Sequence, residues 1–261
     1  MNLTDDDTLK FQKGTPIFLE DICAIYPVTI GEITDEGYSN FQRYLSILTA
    51  EKPVDVKEKD KELSELLKQL TDFQYILMMV MSDKEANQTF RDAFRFFTHE
   101  SNISFSLDPA QIIVGSLTEN HIINEGEFYT FQKILKRMYF IEQDEEEIII
   151  YDDDEPMVKK LKLQRRRDRE RLRRAKAKEV EKRGDGNLKF SDLIGSIPLD
   201  NCGLNMVNIW DVTYYSLQDQ LKRMGWRDQF EMNHRAALAG AKLKKSQLKH
   251  WMRSIASSDK S

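Results

Sequence analysis

Four histidines (His99, His121, His234 and His250) and two cysteines (Cys23 and Cys202) are the side chains best suited to metal or nucleophilic chemistry. They are scattered. No Cys/His pair stands at ligand spacing, HExxH is absent, and cysteines this far apart predict neither a zinc site nor a disulfide framework. The phosphate-cradling and nucleophile motifs GxxxxGK(S/T), GxGxxG and GxSxG do not occur. Glu145-Glu146-Glu147 and Asp152-Asp153-Asp154 could attract a divalent ion. Adjacent acids seldom converge on one cation without a turn glycine, and none lies among them, so a solvated acidic loop is the better reading. The residue types predict no enzyme, no metal site and no cofactor.

Binding chemistry is left, and it concentrates in two places. The first is a charge reversal. Residues 142–155 hold nine Asp or Glu and no Lys or Arg, whereas 157–183 hold fourteen Lys or Arg against four acids. Acids followed by Pro156 make a strong helix start: carboxylates favour the positive end of the helix dipole, and a proline at the first turn forfeits no hydrogen bond. The apolar residues of the basic stretch (Val158, Leu161, Leu172, Ala175, Val180) are sparse, which predicts a solvated helical arm ended by Gly184-Asp185-Gly186-Asn187. Arg165, Arg166, Arg167 and Arg169 form its densest cationic cluster. Such an arm can track phosphates. It lacks aromatic residues for base stacking, and the adjacent acidic run can neutralise it. A protein-partner role is therefore ranked above nucleic acid.

The second place is the C-terminus, which holds all three tryptophans, Trp210, Trp226 and Trp251. Tyr214, Leu217, Leu221 and Met224 recur at helical spacing, with Asp211 or Thr213 as a cap and Gly225 as a stop or kink. A second run carries Phe230, Ala237, Leu238 and Ala241. A third, capped by Ser246, carries Leu248, Trp251, Met252 and Ile255. Three short helices bury three indoles poorly among themselves, which predicts a partner-docking surface built from Trp210, Tyr214, Leu217, Leu221, Trp226, Leu248, Trp251 and Met252. Local core is the competing reading.

The elements that must position these groups come earlier. Leu9–Leu19 alternates around Lys13-Gly14 as a hairpin would, with Phe11, Ile17 and Leu19 on its packed face, and 22–28 adds an extended piece. Thr29-Ile30-Gly31-Glu32 has capping-box spacing, and Gly31 and Thr34 predict an irregular first turn. Phe41, Tyr44, Leu45 and Leu48 mark the next helix. After a charged linker, 61–81 holds one helical period from Leu63 to Val80, and Phe90, Phe94 and Phe97 line another helix as core. Ile103–Leu107 and Ile112–Val114 suggest a small sheet. Phe128, Phe131, Ile134, Leu135 and Met138 mark an amphipathic helix. The fold class is mainly α (α+β): a helix-rich N-terminal domain with small β-elements (1–141), an acidic loop and basic exposed helix (142–187) and a C-terminal three-helix docking domain (188–261). The apolar stripes of 9–141 face one another, so that stretch is expected to fold without the rest.

A net charge of -5 decides little, because the charges are segregated. No apolar run approaches the roughly 20 residues of a membrane span, and the acidic start is the reverse of a secretory signal, so a cytoplasmic, membrane-free location is expected.

The pieces 208–213 (NIWDVT), 219–223 (DQLKR), 237–241 (ALAGA) and 250–252 (HWM) resemble the C-terminal segment of the tail assembly chaperones of long-tailed bacteriophages. The likeness covers the C-terminal fifth well and the first fifty residues loosely, where an extended segment, Pro27-Val28-Thr29-Ile30 and a helix follow in the same order. The resemblance implies a non-enzymatic morphogenesis factor in the host cytoplasm that coats the tape-measure protein, recruits tail-tube subunits and self-associates. Some family members come as short and long forms made by a translational frameshift. The alternatives are a structural virion protein of tail or baseplate and a nucleic-acid-binding protein acting through 157–183.

Overall fold

The computed structural model describes residues 4–20, 22–53, 69–116, 119–141, 155–183, 189–197 and 203–242, with His250 and Met252. It is mainly helical with two small antiparallel sheets. Helix α1 (Asp5–Lys13) is closed at its start by a reciprocal capping box between Thr4 and Asp7, and ends on Gly14 in the left-handed region. The hairpin expected around Lys13-Gly14 is thus a helix and its C-cap. The true hairpin lies one element later, as β1 (Ile17–Leu19) against β2 (Cys23–Ile25). The acids of the N-terminus are helix-starting residues, and this is why an alternation reading misplaces them. Phe11, Ile17 and Leu19 are buried as expected.

Helix α2 (Ile30–Glu36) carries the expected Thr29/Glu32 capping box, with Glu32 accepting from the Thr29 N–H at 2.7 Å. Its first turn is regular. Gly37 separates it from α3 (Tyr38–Leu48). The long helical period expected over 61–81 is broken at Thr71, which with Gln74 forms another capping box and starts α4 (Asp72–Ser82) afresh; Leu63, Leu66 and Leu67 lie outside the described residues. Helix α5 (Lys84–Thr98) buries Phe90, Phe94 and Phe97. The sheet β3 (Ile103–Leu107), β4 (Ala110–Ser116), β5 (Glu119–Ile123) is a meander in the order β3-β4-β5, turning Ile103, Ile112, Val114 and Ile123 inwards. Asn124 and Glu127 cap α6 (Glu125–Met138).

A single apolar cluster collects the buried faces of all these elements, with its phenylalanines in mutual contact, for example Phe73–Phe128 at 4.9 Å and Phe94–Phe131 at 5.5 Å between ring centres. The cluster does not end with α6. Ile194 and Ile197, on and just after α8 (Phe190–Ser196), and Ile209, Tyr214, Tyr215 and Leu217 belong to it. The basic helix α7 (Pro156–Arg183) starts at the expected proline, and a helix of 25 residues, α9 (Tyr214–Leu238), follows a 3-10 turn at Ile209–Asp211.

Candidate partner interface

Residues 209–219 form a strap across the N-terminal elements. Trp210 passes so close to α2 that a Cβ on Gly31 would lie 3.1 Å from the Trp210 carbonyl oxygen. The backbone then pairs as one antiparallel bridge between Thr29 and Thr213, with the Ile30 N–H donating to the Val212 carbonyl and the Tyr214 N–H to the Val28 carbonyl, both at 2.9 Å. Thr213 is buried and uses its hydroxyl twice: it donates to the Phe11 carbonyl at 3.0 Å and accepts from the Ser216 N–H at 3.1 Å, which caps α9. Ser216 donates to the Gln12 carbonyl, and Gln12 to Asp219. The N-cap of α9 is thereby tied to the last turn of α1.

Beyond this root the first turns of α9 are core. The Tyr214 ring packs on Phe41 at 5.3 Å and Tyr139 at 5.8 Å; Tyr215 packs on Phe11 and Phe140. Burial pushes the Tyr214 hydroxyl up to about 12, so it stays a neutral donor. From residue 220 onward the helix has no buried residue, and Met232 and Leu238 are exposed, Leu238 by 78 %. The break expected at Gly225 does not occur: the two predicted helices are one, since a single helical glycine costs only about 1 kcal/mol and nothing else interrupts the hydrogen-bond ladder.

The eight residues proposed for docking therefore divide. Tyr214 and Leu217 are buried in the cluster and are anchors of the helix, not contact residues. Trp210 and Leu221 are partly buried against the same cluster, with Trp210 Nε1 donating to the Met206 carbonyl at 2.8 Å. Trp226 is half-buried and Met252 exposed. Leu248, Trp251 and the Ser246 cap lie outside the described residues; of the predicted third helix only His250 and Met252 are described, and neither is helical. His250 and His234 flank Phe230, at ring distances of 5.2 and 5.9 Å.

The basic arm is not wholly solvated. Arg166 is buried and grips Asp72 with both terminal guanidinium nitrogens, Nη1 donating to Oδ1 at 3.1 Å and Nη2 to Oδ2 at 2.5 Å, in the fork geometry that suits a carboxylate. Asp72 also accepts from the Lys52 N–H at 3.0 Å. Glu51 lies 3.7 Å from Arg166 and 3.2 Å from Lys136 of α6, and Lys52 Nζ donates to the Leu70 carbonyl. Burial opposes the Arg166 charge, but Asp72 and Glu51 more than offset it and hold the guanidinium above its ordinary value. Four segments (the chain after α3, the start of α4, α6 and α7) meet in this ionic clamp. Sequence reading missed it because nothing in the run Arg165-Arg166-Arg167 marks its middle member; only Asp72 behind a capping threonine hinted at a special acid. Arg165 and Arg167 are exposed, and the Arg169 side chain lies outside the described residues.

Among the described residues no group of His, Cys, Asp and Glu is placed to hold a metal, and no helix is long and apolar enough to cross a membrane. Cys23 is buried; desolvation and then nearby Glu100 push its thiol up to about 12, so the reactive thiolate is unpopulated at neutral pH.

Residues 178–256 match the protein family described as YomV second domain. That family is phage-derived, its namesake coming from a Bacillus prophage, and the match points to a phage origin. It spans the end of α7, the strap and the whole of α9, the part of the chain singled out above. Neither the curated proteins nor the solved structures yielded a match.

Proposed function

We propose that this chain is a non-enzymatic phage tail morphogenesis factor, a chaperone of the host cytoplasm that holds the tape-measure protein and recruits tail-tube subunits. The observation that carries this reading is the division of α9: its first turns are fixed in the core, and its remainder presents Trp226, Met232 and Leu238 beyond it. A helix anchored at one end and carrying exposed apolar side chains on several sides of the other suits contact with a long helical client, whose apolar stripes it would cover. The phage-derived match over the same residues supports the reading, as does the resemblance of 208–213 and 237–241 to tail assembly chaperones.

Co-expression tests it. A phage tape-measure protein is produced with and without this chain, and the soluble fraction is measured. The wild type is expected to keep the client soluble and to co-purify with it. Met232→Asp with Leu238→Asp, both on exposed positions, is expected to abolish co-purification while circular dichroism stays unchanged. A client equally soluble in the absence of this chain, or bound equally by the double variant, sinks the proposal.

A further inference from the structure

The clamp on Arg166 fixes the rotation of α7 about its own axis, and Lys159, Lys162 and Leu163 on the same side are half-buried. Each residue advances by about 100° around a helix. Counted from Arg166, the row of positions lying between about 80° and 160° begins at Pro156 and holds Lys160, Gln164, Arg167 and Arg171. All five are exposed. The backbone stays helical to Arg183, and the same row continues in the sequence through Arg174, Lys178 and Lys182. After its opening proline the row is cationic at every position but Gln164. The four acids of the segment, Asp168, Glu170, Glu179 and Glu181, all fall outside it. From Lys160 to Lys182 it runs about 33 Å, the span of about ten phosphates on one strand of a duplex.

We propose that this row of α7 binds the phosphate backbone of nucleic acid without reading its sequence. Acids accompany the cations in the sequence, and this ranks a protein partner first; on the helix those acids stand off the row, which leaves a continuous line of positive charge. The exposed apolar residues Met157, Leu161 and Leu172 alternate with Gln164 and Asp168 and form no seam, so the contact is ionic. A regular array of phosphates suits such a surface better than a protein partner, whose interface needs an apolar centre. Base-stacking aromatic residues are absent from α7, so contact stops at the backbone. With fourteen cations and four acids in 157–183 of a chain of net charge -5, the rest of the molecule is strongly acidic. A polyanion is therefore repelled elsewhere and steered to α7. A second copy of this chain would set arginine against arginine there. The row is separate from α9, so its failure and that of the chaperone reading are distinguishable.

The test uses the full-length protein and fluorescence anisotropy, titrated over about 50–200 mM salt. The probes are DNA duplexes of two unrelated sequences, single-stranded RNA of the same length, polyglutamate of matched charge and phosphatidylserine vesicles. Both nucleic acids are expected to bind, with the two duplexes within about threefold of each other, because phosphate contacts carry no sequence information. Six phosphate contacts give a slope of about -5 for log affinity against log salt on duplex. Lys160→Gln with Arg167→Gln and Arg171→Gln is expected to weaken binding at least about tenfold at the lowest salt and to reduce the slope by about three. Arg165→Gln with Lys176→Gln and Arg183→Gln removes the same charge from positions on the far side of the helix, and is expected to cost less than about threefold. Circular dichroism guards against unfolding, and Arg166 is left in its clamp in both variants. Equal losses in the two variants, no binding of either nucleic acid at the lowest salt, or polyglutamate or vesicles bound as tightly as nucleic acid overturns the proposal.

Discussion

Gly31 is the residue at which local preference and packing oppose each other. Within a helix, alanine is favoured over glycine by up to about 1 kcal/mol, so Gly31→Ala in α2 would ordinarily stabilise. Here the new Cβ would meet the Trp210 carbonyl oxygen at 3.1 Å and the Trp210 Cβ at 3.6 Å, and the strap would have to shift. Overpacking of that kind costs about 1–3 kcal/mol, more than the propensity gain, so Gly31→Ala is expected to lower the urea midpoint. A raised midpoint would mean that the strap has slack at this point. Thr213 sits at the same junction. Thr213→Val keeps the shape but leaves the Phe11 carbonyl and the Ser216 N–H without their partner, at a cost of about 1–3 kcal/mol. Thr213→Ser keeps the hydroxyl and is expected to lose less than half of that. If valine and serine behave alike, the methyl group carries the effect and not the hydrogen bonds.

At the scale of elements, α7 shows what periodicity can and cannot announce. Its start at Pro156 was legible, because acids and a proline at a helix N-terminus have a local electrostatic and steric cause. The capping box of Thr29 was legible for the same reason, and so were the phenylalanine face of α5 and the Thr213 cap. The contact made by Arg166 was not, since its partners Asp72 and Glu51 are brought near only by the tertiary fold. The boundary at Thr71 and the helical character of 5–13 were missed although each carries a local capping signature; an apolar period running across Leu70 and an alternation around Gly14 were given more weight. The clamp makes a sharp energetic prediction. Removing one partner of a buried pair strands the other, so Asp72→Ala is expected to cost about 3–5 kcal/mol unless α7 lifts away. Replacing both, as Asp72→Leu with Arg166→Leu, removes the stranded charge and is expected to cost less than either single change. Hydrogen exchange over 159–166 distinguishes loss of docking from global unfolding: faster exchange confined to α7 follows from a clamp, whereas uniform acceleration does not.

For the whole molecule the question is whether 9–141 is sufficient, as its facing stripes suggest. The cluster argues for a larger unit. Tyr214 covers Phe41 and Tyr139, Tyr215 covers Phe11 and Phe140, and Ile209 and Leu217 are fully buried in the same body. A fragment that stops at 141 would uncover these faces and leave the Val28 and Phe11 carbonyls without the Tyr214 N–H and the Thr213 hydroxyl. Each buried aromatic of this size is worth about 3–5 kcal/mol when truncated, and two are lost together, which rivals the total stability of an ordinary domain. Residues 1–141 alone are therefore expected to melt broadly, with exposed apolar surface that binds a hydrophobic dye. Addition of a synthetic peptide spanning 203–238 in trans is expected to sharpen the melt and displace the dye, because the strap docks through a preformed bridge, a buried threonine and two tyrosine rings. A cooperative melt of the fragment alone, unchanged by the peptide, would make the strap an accessory and α9 a separately tethered arm.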